Sequence, residues 1–63
     1  MFSPDIDPAI LKRYLPTMSK EDLEDMLKKV EECLRYETNG QKLMRIMDNQ
    51  TILEKAIDTY YNC

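Results

Sequence analysis

Apolar positions recur along this chain at helical intervals. Between Ser19 and Gly40, residues Leu23, Met26, Leu27, Val30, Cys33 and Leu34 fall on one stripe of a 3.6-residue period. Ser19 is a good N-cap, because its hydroxyl accepts from a free backbone N–H of the first turn. Asp22 completes a shortened capping box, and Met18 and Leu23 occupy the staple positions. Asn39-Gly40 reads as the stop, since glycine tolerates the left-handed conformation that ends many helices. The pattern predicts a long central helix over about residues 19–39.

Two weaker segments flank it. Asp7-Pro8 reads as an N-cap followed by proline at the first helical position, where its missing N–H costs nothing. Ile10, Leu11, Tyr14 and Leu15 supply an apolar patch, and Pro16 disfavours helix at Leu15. A short helix over about 8–15 follows from this. Beyond Gly40, the apolar residues Leu43, Met44, Ile46 and Met47 precede a polar interruption, Asp48-Asn49-Gln50-Thr51. Ile52, Leu53, Ala56, Ile57, Tyr60 and Tyr61 come after it. Thr51 and Glu54 have capping-box spacing, which favours two short helices with a bend at 48–51. One continuous stripe through Leu43, Met47, Gln50, Leu53, Ile57 and Tyr60 is the alternative. No strand pattern alternates for long.

The expected architecture is all-α and a single domain over residues 1–63. Its long central helix packs antiparallel against one bent or two short C-terminal helices, and the short N-terminal helix caps one end. Adjacent apolar pairs, such as Ile46-Met47 and Ala56-Ile57, widen the C-terminal stripe beyond what one facing helix covers. A second chain is one source of the missing cover, so a homodimer is expected.

Size and composition narrow the function. At 63 residues the chain buries only about 60% of the surface it exposes when unfolded. The sequence holds no histidine, and its two cysteines, Cys33 and Cys63, lack the paired spacing of a zinc site. No cofactor or metal is implied. Nothing at the N-terminus resembles a signal peptide, so a reducing cytoplasm with free thiols is expected, although spacing alone leaves a Cys33–Cys63 bridge open. The net charge is −3, and the first 40 residues carry six basic against nine acidic side chains. That balance disfavours nucleic acid, which usually selects a basic footprint. No apolar stretch approaches the roughly 20 residues a membrane span needs.

Catalysis finds little support. Histidine, the usual proton carrier near neutral pH, is missing, and neither thiol has an evident activating neighbour. The acidic run Glu21, Asp22, Glu24 and Asp25 complements the positive end of the helix dipole. It also offers an acidic face, with Glu21 and Asp25 as candidates, to a basic partner. Met44, Met47, Tyr60 and Tyr61 are the other interface candidates, because methionine adapts to irregular surfaces and tyrosine joins an apolar ring to a polar tip. Met44 and Met47 could equally fill the core, whereas one of the two tyrosines is expected at an interface, since adjacent residues point different ways on a helix. Lys12 and Arg13 are too few for a basic arm and read as solvent-facing.

The expected function is a non-enzymatic protein-interaction module, a regulator or inhibitor that binds a larger protein. Small acidic chains without disulfides suit bacterial or phage proteins of that kind. One alternative is a dimeric helix-turn-helix-like DNA-binding regulator, with Gln41, Lys42 and Arg45 as the reader. Another is a small helical subunit of a larger enzyme complex.

Overall fold

The computed structural model describes residues 3–61. Helix α1 runs Pro8–Tyr14, a 3-10 turn follows at Leu15–Thr17, α2 runs Lys20–Tyr36 and α3 runs Gly40–Tyr61. The chain is all-α, as the hydrophobic pattern predicts. Cys63, and with it any pairing to Cys33, lies outside the described residues; Cys33 itself is a free, half-buried thiol.

The start signals operate as expected. Asp7 accepts the Ala9 N–H at 2.9 Å, and Pro8 opens α1. The Asp22 N–H donates to Ser19 Oγ at 3.1 Å, and the Ser19 N–H donates to Asp22 Oδ2 at 3.2 Å, so the capping box is complete. The staple pair Met18 and Leu23 is buried. Pro16 ends the α-helix at Tyr14 and leaves one tighter turn, in which Leu15 keeps right-handed helical angles.

Two expectations fail at the other end of the hairpin. Helix α2 stops at Tyr36, and Glu37 adopts extended angles, φ −74 and ψ 133. The Glu37 carboxylate then accepts the N–H groups of Thr38 and Asn39. Asn39 starts the next helix: its Oδ1 accepts from Gln41 at 2.9 Å and from Lys42 at 3.2 Å. Gly40 is therefore the first residue of α3 and not a left-handed stop; no residue described has a positive φ.

The second failure is the break at 48–51. Helix α3 is continuous from Gly40 to Tyr61. Thr51 does not cap a fresh helix; its hydroxyl donates back to the Met47 carbonyl at 3.2 Å, a bond mid-helix threonines commonly make. The buried line of α3 is Ile46, Asn49 and Leu53, so Asn49 sits in the middle of the core face. Its side chain is fully buried.

Helices α2 and α3 form the main pair, joined by residues 37–39. The C-terminal residues of α3 reach the start of α2, where Tyr60 Oη donates to the Met18 carbonyl at 3.1 Å, so the two run antiparallel. Leu23, Met26 and Val30 of α2 meet Ile46 and Leu53 of α3, and Leu11 of α1 joins them. Fully burying such a side chain contributes roughly 1.5–3 kcal/mol. The wide apolar arc of α3 is thus shared within the chain, with α2 on one flank and α1 on the other.

Asn49 anchors the segment before α1. Its Nδ2 donates to the carbonyls of Pro4 at 2.9 Å and Ile6 at 2.8 Å. The reversed amide would set its oxygen against both carbonyls, so these bonds fix its orientation. Its Oδ1 is buried with no partner among the described residues. Ile6 packs on the core below this strap, and its N–H donates to the Ser3 carbonyl at 3.1 Å.

Two measurements check this account. A Cβ at Gly40 meets nothing within 4 Å, so Gly40→Ala should stabilise the chain by roughly 0.4–1 kcal/mol in urea unfolding. A left-handed Gly40 would instead give a loss larger than that gain. Asn49→Ala should cost roughly 1–3 kcal/mol and raise hydrogen exchange at the Ile6 amide. Asn49→Asp sets a carboxylate against the same two carbonyls and should be the worse of the two at neutral pH.

Candidate functional site

The interface candidates separate into groups once placed on the helices. Met44 and Met47 are 69% and 56% exposed. At 3.6 residues per turn they lie about 140° and 160° round α3 from Asn49, on the flank facing away from the core. They form an apolar surface that nothing among the described residues covers. Glu21 and Asp25 are exposed on the outward face of α2. Among the described residues the structure does not bring them together with the methionines.

Tyr60 and Tyr61 point in different directions, Tyr60 tied to the link before α2 and Tyr61 to α2 itself. Tyr60 lies only about 20° from Asn49 on the helical wheel, and its hydroxyl reaches Met18. Tyr61 Oη donates to Glu24 Oε1 at 3.1 Å, and Lys20 Nζ sits 4.2 Å from the Tyr61 ring centroid. Lys20 is held above its ordinary pKa of 10.5, first by side-chain hydrogen bonding with Tyr61 and further by the charge of Glu24. These contacts close the open end of the hairpin.

The would-be nucleic-acid reader occupies the first turns of α3. Lys42 and Arg45 act there on Asp5 of the strap. The Asp5 carboxyl is held below its ordinary 3.8 first by the Ser3 hydroxyl, against an opposing effect of desolvation, with lesser help from its own backbone N–H and least from those two cations. Part of the basic charge in this segment therefore serves the N-terminal turn.

Depressions also mark the described surface. One, of about 350 Å³, lies beside Cys33 and Tyr36 with Pro4 at its edge. The thiol there has Lys29, Glu32 and Glu37 around it. Among the described residues no group of three or more Cys, Asp or Glu side chains is arranged to hold a metal ion, and no helix is long and apolar enough to cross a membrane.

Another depression was not legible in the sequence. It is a run of adjoining open hollows of about 400, 250 and 350 Å³ between α1 and α3. Its floor is Leu15, Ile52, Ala56 and Thr59, and Lys12 and Lys55 border it. The sequence places Lys12 simply in solvent, since only the docking of α1 brings it beside Lys55. The one available signal is the half-apolar spacing of Ile52, Ala56 and Thr59 on the flank between core and solvent.

No protein-family model, curated protein or solved structure matches this chain.

The tyrosine contacts give a paired prediction. Tyr60→Phe should cost roughly 0.5–1.5 kcal/mol, the usual worth of one hydrogen bond. Tyr61→Phe breaks an exposed contact to a carboxylate and should cost less, with a dependence on salt. Thermal unfolding of both variants at low and high salt checks the order.

Proposed function

We propose that the chain is a non-enzymatic protein-interaction module, a small regulator or inhibitor that binds a larger protein through α3. The observation that carries this reading is the exposure of Met44 and Met47 on the outward flank of a helix whose other flanks are occupied by α1 and α2. Exposed neighbouring methionines suit a partner surface, because the unbranched thioether repacks against irregular shapes. Self-association as a homodimer belongs to the same proposal and rests on the same residues.

The outward carboxylates of α2, Glu21 and Asp25, add long-range attraction to a basic partner. Charges at the rim of an interface change encounter rate and salt dependence more than affinity.

The test is capture of partners by the tagged chain and by a Met44→Asp, Met47→Asp double variant, with sedimentation of each. The substitutions are at exposed positions, so helicity should be unchanged. A partner or a dimer that weakens at least tenfold, about 1.4 kcal/mol, supports the reading. Identical capture and identical mass for both proteins would sink it.

A further inference from the structure

We propose that the groove between α1 and α3 is a second docking site, made for an acidic amphipathic helix of another protein. Its apolar floor, Ile52 and Ala56, lies about 80–180° round α3 from Met44 and Met47, and its Asp48 end begins one turn beyond Met44. Along α3 it extends from Asp48 to Tyr60, about 18 Å at 1.5 Å per residue. That length accepts a helix of about three turns.

Its shape and charge select the occupant. Both walls are helices, and a groove between two helices receives the side-chain ridge of a third. No strand exists among the described residues to offer an edge to an extended peptide. The floor residues Leu15, Ile52 and Ala56 are half-buried and apolar, so a docking ridge removes real apolar surface from water. The hollows are open and shallow, and a single acyl chain lying in them would stay half in solvent.

Charge gives the sign. The chain as a whole is acidic, at net −3. The groove reverses this: among its lining residues two lysines, Lys12 and Lys55, outnumber one carboxylate, Asp48, which shares the first hollow with them. Both lysines are exposed, and neither forms an ion pair among the described residues. Carboxylates flanking an apolar ridge would find both ammonium groups available. A second copy of this chain using the same face would set lysine against lysine, which disfavours a two-fold pairing there.

The probe is a synthetic peptide of about a dozen residues, with leucines on one helical stripe and glutamates on either side, lactam-bridged because so short a helix is marginal alone. It is titrated into the full ¹⁵N-labelled chain. The expected result is shifts at the amides of Leu15, Ile52, Ala56 and Thr59, leaving Met44 and Met47 unmoved. Affinity should fall about tenfold in a Lys12→Glu, Lys55→Glu double variant, and should fall with added salt. A lysine-flanked version of the peptide should prefer that variant to the wild type. Helicity of the variant is checked by circular dichroism, and Lys12→Gln, Lys55→Gln replaces it should the glutamates disturb the fold.

Several results would overturn the proposal. These are an absence of shifts, shifts confined to Met44 and Met47, and binding indifferent to both lysine variants. Concentration-dependent shifts at the groove without peptide would assign it to a second copy. Laurate binding at the groove where the peptide does not bind would assign it to a lipid.

Discussion

Asn49 donates to two backbone carbonyls from a position with no access to solvent, and the placement of the first part of the chain depends on that pairing. A buried amide without partners would cost about as much as several apolar contacts contribute. The strap at Pro4–Ile6 relieves that cost on the donor side, and in return its path across α3 is fixed. Ile6 is thereby set on the core, and Asp7 follows at once as the cap that starts α1. The position of α1 against α3 is then determined from one end by the strap and from the other by Leu11 and Leu15. A hairpin of α2 and α3 alone would leave the Ile52 and Ala56 flank of α3 in water.

This dependence explains which parts of the fold could be read from the chain. The start of α2 was legible because its signals are local: Ser19, Asp22, Met18 and Leu23 lie within one turn of each other. The same holds for Asp7-Pro8. The end of α2 was misread because Asn-Gly serves both purposes. Asparagine caps a helix start as well as it tolerates a left-handed end, and the choice fell to Glu37, whose side chain takes the next two N–H groups. Continuity through 48–51 is one of the two sequence readings, but it puts Gln50 rather than Asn49 on the inward stripe, for a different reason. A polar residue in an apolar run is assigned to solvent by any local pattern, whereas the partners of Asn49 lie more than 40 residues earlier.

The candidate site divides along similar lines. Met44 and Met47 stand out in the sequence because α3 holds more apolar residues than one stripe can use. Their exposure follows once Ile46, Asn49 and Leu53 claim the inward face. The tyrosines resemble interface residues by type and are 50% and 63% exposed, and their hydroxyls also donate within the chain, to Met18 and Glu24. Nothing in their spacing announces these bonds, since Met18 lies just before α2 and Glu24 in its first turns, roughly 40 residues earlier. The groove needed three elements to exist: α3, α1 and the strap that delivers α1.

The groove is consequently linked to the strap by mass action. A helix lying between α1 and α3 contacts only chains in which α1 is docked, so it stabilises that state in proportion to its concentration over its dissociation constant. Conversely, any change that undocks the strap reduces the apparent affinity by the fraction of chains left competent. The methionine face behaves differently. It is a single flank of α3, complete without α1, and its availability follows the α2–α3 pairing alone. A weakened Asn49 therefore separates the two surfaces: binding at the groove falls with strap docking, while binding at Met44 and Met47 persists as long as the hairpin does.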